Sequence, residues 1–316
     1  MPIALIVASL LLQAGTEGYL TGRVDVGDSL MFSCGAFAAT SLLFNGALLA
    51  RRAVGGGAVA PAAAHRSAAL RLVLTMNVAT AVTFLGFYVS LAWVPAVLAN
   101  SVMAGVGPLA VALLGPRHRT SAAGWARAAV LLAASLVVAA LTHDGAETAG
   151  LAVLPGLVLV LLAGFSAAYI AQLSSRLADV GAPPAWVTAH RFHLTYAVAG
   201  LLLLLRTDGA ADGGLSLPAT ALAAIAGVTV PLYLLQVGLQ RTRPAIAMVL
   251  LTTLPGLAYA GQVAFGDTFD PWRLAVVCAF MLLAGYCARA ENRAAARPRP
   301  VPPLVPVHDQ PLKANP

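Results

Sequence analysis

The sequence predicts an all-α integral membrane protein in which ten transmembrane helices form two inverted five-helix repeats. Of its 316 residues, 59% are hydrophobic and only 10% are charged, whereas an ordinary soluble domain carries roughly 25% charged residues. The apolar residues also occur in runs of about 20, the length that a helix needs to cross the hydrocarbon core of a bilayer. Because lipid offers no water to an open backbone, every span is expected to be helical.

The ten predicted spans follow one another through mostly short connections. They cover residues 3–20, 29–50, 69–90, 95–115, 122–142, 149–173, 186–205, 217–237, 244–265 and 272–289. The connections at 91–94 and 240–243 are barely long enough for a turn, so the spans on either side of each are expected to be antiparallel.

The basic residues alternate from loop to loop, which supports this number of spans. Sixteen of the 19 lie in the even-numbered loops, at their edges or in the tail, the exceptions being Arg23, Arg206 and Arg273. The positive-inside rule therefore predicts a multi-pass protein of the cell membrane with cytoplasmic N- and C-termini. The net charge of +7 does not indicate nucleic-acid binding, because the arginines are scattered and form no dense patch.

A pair of prolines and a pair of tryptophans with the same separation indicate an internal repeat. Pro108 and Pro255 are 147 residues apart (255 − 108), as are Trp125 and Trp272 (272 − 125). Five helices per unit is an odd number, so the second unit must begin on the opposite side of the membrane, as in the inverted repeats of secondary transporters. The predicted organisation is a first repeat at 1–142, a linker at 143–150, a second repeat at 151–290 and a disordered Pro/Arg-rich cytoplasmic tail at 291–316.

Several segments resemble the EamA-like halves of the drug/metabolite transporter superfamily. The resemblance is carried by SLAWVPAVLANSVMAGVGPLAVALLG (90–115) and GLQRTRPAIAMVLLTTLPGLAYAGQVAFGDTFDPWRLAVVCAFMLLAGYCAR (238–289). In each, a helix of small residues reaches a central proline before a turn and another helix. Asp267 follows Gly266 at the second turn, whereas Arg117 stands where an acid is usual in the first.

The second half extends this resemblance. LVLVLLAGFSAAYIAQLSSRLAD (157–179) is similar to its first helix, and VTAHRFHLTYAVAGLLLLL (187–205) to its arginine-bearing next helix. The resemblance implies a secondary transporter that exports a small metabolite, amino-acid derivative or drug by alternating access. Its substrate is expected to be a small molecule, with protons as the candidate coupling ion and lipid as its surroundings. A monomer or a homodimer would satisfy the repeat.

Glu17 is the first candidate for a substrate-binding or coupling group. It lies late in the first span, one turn after Gln13. An ionisable side chain at membrane depth is costly and is a functional hypothesis by default, and this carboxyl group could exchange a proton or bind a cationic substrate. The alternative is that the span ends near Ala14 and leaves Glu17 as a solvated loop acid.

Arg191 is the second candidate, about a turn and a half into the seventh span. A buried guanidinium could bind a substrate carboxylate or phosphate, or pair with an acid. The alternative is a snorkelling anchor close to the cytoplasmic surface. His190 and His193 flank it three residues apart, but no acid or cysteine completes a metal site, so we predict no metal and no cofactor.

Amide and aromatic side chains within the spans form a third group of candidates. Such groups would line a polar cavity that orients a small molecule through a few hydrogen bonds, or would join helices to each other. The residues proposed for this role are Asn77, Asn100, Tyr169, Gln172, Tyr196, Tyr259 and Gln262, with Tyr233 and Gln236 forming a similar pair on the eighth span.

Two other classes of protein remain open. An integral-membrane enzyme acting on a lipid-linked substrate would use the cluster of His143, Asp144 and Glu147, which we interpret as part of a linker. A membrane scaffold or sensor would signal through the tail. No nucleotide-binding glycine motif and no catalytic serine or zinc motif occurs, so we predict no catalytic residues.

Overall fold

The computed structural model describes residues 2–55, 60–114, 121–142, 153–205, 222–242, 247 and 250–296. Within these ranges the chain is helical and contains no β-strand. Eight of the described helical segments are long and apolar enough to cross a membrane, as in a multi-pass membrane protein. The last two predicted spans contain a helix of 11 residues and a helix whose apolar part covers Pro271–Cys287.

The helices of the first half match the predicted spans to within a few residues. They are α1 (Pro2–Leu20), α2 (Val26–Ala53), α3 (Arg66–Ser90, after a 3-10 turn at Ala63–His65), α4 (Ala96–Leu114) and α5 (Ala122–Thr142). Asp25 and Asp28 form a capping box at the start of α2, in which each side chain bonds to the other residue's backbone N–H. Two of the free N–H groups at this helix end are thereby satisfied.

The second half is less regular. Its helices are α6 (Leu154–Asp179), α7 (Pro184–His190), α8 (His193–Leu205), α9 (Val230–Arg241, after a π-helical turn at Ile225–Thr229), α10 (Leu254–Ala264) and α11 (Pro271–Ala296). The predicted start of the eighth span lies outside the described residues, as do most residues between Arg241 and Leu250.

Three predicted boundaries are wrong. Helix α6 ends at Asp179, six residues beyond the predicted end of the sixth span at residue 173. The seventh span is not one continuous helix but two, because the chain leaves the helical path at Arg191 and Phe192. The final helix also continues to Ala296, past the predicted start of the tail at residue 291. The run AENRAAA contains no proline, and the first proline of this segment is Pro298, so nothing in the local sequence stops the helix earlier.

The distribution of polar and apolar side chains is partly inverted relative to that of a soluble protein. Leucines such as Leu42, Leu204 and Leu282 are among the most exposed side chains. Polar side chains are completely buried, among them Thr80 and Ser174. An apolar exterior around polar interior groups is what a lipid environment favours, because polar groups there must be satisfied between helices.

Contacts between the two halves hold the bundle together. The helix α1 packs against α9 and α10, while α6 packs against α3 and α4. The helix α2 lies along α7 and α8, α4 contacts α10, and α5 contacts α11. Each half therefore depends on the other for most of its buried surface.

The contact between α1 and α10 is especially close. A Cβ atom added to Gly18 would collide with the backbone of Gly261, and one added to Gly261 would collide with the carbonyl oxygen of Ala14. Glycines on both helices let the two backbones touch, which is how helices associate in lipid. This contact places the end of α1 that carries Glu17 directly against α10.

Candidate functional site

The carboxyl group of Glu17 lies inside the bundle. Helix α1 continues to Leu20, and Glu17 is only 5% exposed. The Asn100 side-chain amide on α4 donates a hydrogen bond of 2.7 Å to Glu17 Oε2. The alternative of a solvated loop acid is therefore wrong. Asn100, a predicted polar residue of the fourth span, is brought to Glu17 because α1 and α4 both pack against α10.

A tyrosine that the sequence did not single out completes this region. Tyr88 on α3 is buried and interacts electrostatically with Glu17. Its ring lies edge-on to Phe32, with centroids 5.2 Å apart. Asn100 on α4 and Tyr88 on α3 thus supply polar groups near the carboxyl, and α10 packs against α1 at the adjacent Gly18. No spacing in the sequence distinguishes Tyr88 from the other aromatic residues of the spans.

Gln13 takes part in a separate chain of hydrogen bonds. Its side-chain nitrogen donates to Ser9 Oγ at 2.7 Å, and Ser9 Oγ donates to the carbonyl oxygen of Pro231 at 2.7 Å. The chain joins α1 to α9 one turn before Glu17. Gln13 therefore anchors the helix that carries the carboxyl.

Arg191 is buried at the break between α7 and α8. It is 3% exposed, and its Nη1 donates a hydrogen bond of 2.7 Å to Gln236 Oε1 on α9. The guanidinium carbon lies 4.9 Å from the centroid of the Phe192 ring, within the range of a cation–π interaction. The alternative of a snorkelling surface anchor is wrong, because the guanidinium is enclosed by protein.

Gln236 is the centre of this second cluster. It is 0% exposed, and Ser174 Oγ on α6 donates to the same oxygen at 3.4 Å. Arg191 Nε and Gln236 Nε2 are buried and have no hydrogen-bond partner among the described residues. The sequence suggested Gln236 only as one of several amides; its pairing with Arg191 required the tertiary structure.

Asn77 fixes the geometry of the break. Its amide nitrogen donates to the carbonyl oxygen of His190 at 2.6 Å, and its oxygen accepts from the backbone N–H of Leu194 at 3.2 Å. On α2, Asn45 donates to the carbonyl oxygen of Ala189 at 3.0 Å. These side chains satisfy backbone groups that the interruption frees, so Asn77 has a positioning role.

Aromatic rings fill the space between the two polar clusters. Phe192 stacks on Phe37 with centroids 5.1 Å apart. Phe37 contacts Phe84 at 5.0 Å, and Phe84 lies 6.5 Å from Tyr88. These four rings, which we call the aromatic column, run from the residue beside Arg191 to the residue that interacts with Glu17.

Of the remaining predicted site residues, Tyr259 and Tyr196 bond outside both clusters, whereas Gln262 lies beside Gly18 at the α1–α10 contact. The hydroxyl of Tyr259 donates to the carbonyl oxygen of Asp270 at 2.8 Å and accepts from the N–H of Asp270 at 2.7 Å. It therefore ties α10 to the start of α11. Tyr196 shares a hydrogen bond of 3.0 Å with His193 Nδ1. Gln262 is buried at the α1–α10 contact, and its Nε2 has no partner within the described ranges.

Tyr169 and Gln172 lie half-buried on α6. Tyr169 lines an open groove between α3 and α6 with a volume of about 470 Å³. The other lining residues are Leu74, Thr75, Val78, Ala79, Val82, Phe165 and Ser166. The lining is mostly apolar, and its leucine and valine members, all on α3, are exposed, so this groove opens on the outside of the bundle.

The cluster considered for an enzyme lies outside the described residues, whereas the two histidines considered for a metal site lie within them. His143, Asp144 and Glu147, the cluster considered for an enzyme, lie in the linker that the structure does not describe. The rings of His190 and His193 are 6.0 Å apart and perpendicular. In the part of the chain that is described, no group of three or more His, Cys, Asp or Glu residues could hold a metal ion.

Comparison with known proteins identifies the fold. No protein-family model matches the chain, and no curated protein matches it. A solved structure described as "Crystal structure of protein" shares 19% sequence identity with it, at a TM-score of 0.59. The match covers 94% of this chain and 99% of the other. The likeness spans nearly the full length of both chains and defines a shared helical fold.

Proposed function

We propose that the protein is a secondary transporter that exports a small metabolite, amino-acid derivative or drug by alternating access. One observation carries the proposal: a carboxyl group, that of Glu17, is buried between helices of an apolar bundle and bonded to Asn100 on a different helix. Ionisable groups in such positions mark ion or substrate pathways in membrane proteins. A carboxyl group can take up a proton on one side and release it on the other, so we propose protons as the coupling ion.

The pattern of helix contacts supports two inverted repeats. If α1 to α5 form the first unit and α6, α7–α8, α9, α10 and α11 the second, exchanging the units converts one set of contacts into another. The contact of α1 with α10 becomes that of α6 with α4, and the contact of α1 with α9 becomes that of α6 with α3. All four contacts are present. Transporters with inverted repeats alternate access by moving one part against the other around a central site.

Interrupted helices support the same proposal. The seventh span is broken at Arg191, and a π-helical turn at Ile225–Thr229 interrupts the eighth after the α-helical residues 222–224. Broken spans line the sites of many transporters, and π-helical turns are frequent at functional sites. Both interruptions belong to helices that pack against α2. The alternation of basic loops supports cytoplasmic termini in the cell membrane.

Untargeted metabolite profiling of cells and medium tests the proposal. Cells would produce the intact protein, Glu17→Gln, or Asp179→Asn, a control in which an exposed acid at the end of α6 is neutralised, all at equal membrane abundance. We expect at least one compound to accumulate outside with the intact protein and with the control. We expect Glu17→Gln to reduce this export at least about tenfold, equivalent to about 1.4 kcal/mol.

An imposed pH difference across the membrane separates coupling from export. The export rate should rise with an inward proton gradient for the intact protein and be insensitive to it for Glu17→Gln. Export that responds equally in both proteins would show that another group couples transport to protons. No change in any compound with the intact protein would contradict export.

A further inference from the structure

The second polar cluster contains a buried cation whose charge no described residue neutralises. Arg191 is enclosed by protein, and its guanidinium contacts the neutral oxygen of Gln236 and the ring of Phe192. Among the described residues, the ion pair between an arginine and an acidic side chain joins Arg273 to Asp270. It does not involve Arg191. Arg191 is thus a positive charge among neutral groups.

Such an arrangement is costly unless an anion joins it. Removing a guanidinium from water carries a penalty that neutral hydrogen bonds only partly offset. The penalty is larger at membrane depth, where charged groups face the bundle interior and find partners there. The presence of a buried guanidinium at this position therefore points to a negatively charged partner that is not part of the described chain.

Two unused donors show where that partner would bind. Gln236 Oε1 accepts from both Arg191 and Ser174, which fixes the orientation of the amide and leaves its nitrogen as a donor. In the part of the chain that the structure describes, Arg191 Nε and Gln236 Nε2 are both buried without a partner. The hydrogen bond of 2.7 Å between the two side chains keeps these donors close to each other. Pairs of N–H donors that include a guanidinium bind carboxylate and phosphate oxygens strongly.

The guanidinium is also held in place. Phe192 is enclosed between Arg191, 4.9 Å from its ring centroid, and Phe37, 5.1 Å away. Asn77 bonds to the backbone of His190 before the break and of Leu194 after it, and so fixes the chain on both sides of Arg191 and Phe192. A cation held this rigidly loses little freedom when it binds an anion.

We propose that Arg191 and Gln236 bind the carboxylate or phosphate of the transported molecule, so that the substrate is a small organic anion. This inference rests on the proposed transport function, which supplies the opening motion by which a buried site exchanges its occupant. The Glu17 region and the anion site are separate clusters linked by the aromatic column. Proton and substrate would therefore bind at different positions.

Binding is measured on the purified full-length protein in a neutral detergent without anionic lipid. The probes are sodium benzoate, inorganic phosphate and the neutral analogue benzamide, at constant ionic strength set with sodium chloride. We expect benzoate or phosphate to raise the Tm in a saturable manner, and benzamide to leave it unchanged. Arg191→Gln should abolish the rise in Tm. Gln236→Leu should raise the half-saturating anion concentration about tenfold, the loss of affinity expected for one hydrogen bond to a charged group.

The control is Arg52→Gln, which removes an exposed arginine near the end of α2 and should bind the anions like the intact protein. If Arg191→Gln fails to fold, Gln236→Leu decides. Equal Tm changes with benzoate and benzamide, or a response retained in the folded Arg191→Gln protein, would overturn the anion site. Phosphatidylglycerol, added in a separate titration, tests for a lipid headgroup. If it raises the Tm and neither benzoate nor phosphate does, the site is assigned to a lipid headgroup and the substrate proposal is overturned.

The export experiment provides an independent outcome. If the compounds exported by the intact protein all carry a carboxylate or phosphate, and Arg191→Gln loses them, the anion proposal is supported. If the intact protein exports only neutral or cationic compounds, transport is retained and the anion proposal fails. If nothing is exported, the proposed function fails, and the binding experiment alone decides whether an anion site exists.

Discussion

The side-chain nitrogen of Asn100 is shared between two acceptors, Glu17 Oε2 at 2.7 Å and the carbonyl oxygen of Ala96 at 2.9 Å. Both N–H groups of the amide are therefore used, one on its own helix and one across to α1. The amide cannot rotate without losing a buried hydrogen bond. The Glu17 carboxyl thus has a rigid donor.

Replacing Asn100 should impair the same step as replacing Glu17. Asn100→Leu removes the donor, and a buried polar group that loses its partner costs about 1–3 kcal/mol, so we expect export to fall at least about fivefold. In the Glu17→Gln background the same substitution should change export less than about twofold, because residues in one network are not additive. The measurement is the initial export rate of the four proteins. Independent, multiplying losses would show that Asn100 acts elsewhere.

The glycine contact between α1 and α10 should be intolerant of a single methyl group. Gly18→Ala places a Cβ against the backbone of Gly261, and we expect a loss of about 1–3 kcal/mol of stability, typical of overpacking. Gly15→Ala on the same helix is the matched control, because a Cβ there meets nothing within 4 Å. Thermal unfolding in detergent measures both. A lower Tm for Gly15→Ala than for Gly18→Ala would contradict this view of the α1–α10 contact.

Asn77→Leu should destabilise the break in the seventh span. The substitution leaves the His190 carbonyl and the Leu194 N–H without the side-chain partners they now have. Each unpaired buried group costs about 1–3 kcal/mol. We expect a lower Tm and faster hydrogen exchange at residues 190–194. Thr75→Val is the control on the same helix, since the Thr75 hydroxyl bonds only to the preceding turn. Unchanged exchange in Asn77→Leu would show that the break does not depend on this amide.

Tyr259→Phe should loosen the connection between α10 and α11. The phenol oxygen bonds to both backbone groups of Asp270, and Tyr259 is 2% exposed. Its loss is expected to cost about 1–3 kcal/mol. The same change at Tyr286, which is 70% exposed, should alter the Tm very little. Similar Tm values for the two variants would argue against a structural role for the Tyr259 hydroxyl.

Truncation after Ala296 separates a transporter from a protein that signals through its tail. The hydrogen bonds that hold Glu17 and Arg191 join α1 to α4 and the α7–α8 break to α9. Removing 297–316 should therefore leave export within about twofold of the intact rate, a change of less than about 0.5 kcal/mol. The measurement is export at equal membrane abundance. Loss of export on truncation would favour the scaffold or sensor interpretation.

Sequence reasoning identified the helical membrane character and most spans because these depend on local composition. Runs of apolar residues, loop charges and helix length all act within a single segment. It also selected Glu17, Asn100 and Arg191 as unusual, since a polar or charged group within an apolar run is visible without knowing its partner. It misplaced the end of α11 and missed the break in the seventh span.

The tertiary structure alone decided which of these groups meet. Glu17 and Asn100 are 83 residues apart in the chain, and Arg191 and Gln236 are 45 apart. In a soluble helix the apolar stripe shows which face is buried, but in a membrane both lipid and the protein interior accept apolar side chains. The faces of these helices are therefore not encoded in hydrophobic periodicity. Segment identity was determined by the sequence, whereas partner choice required the packed bundle.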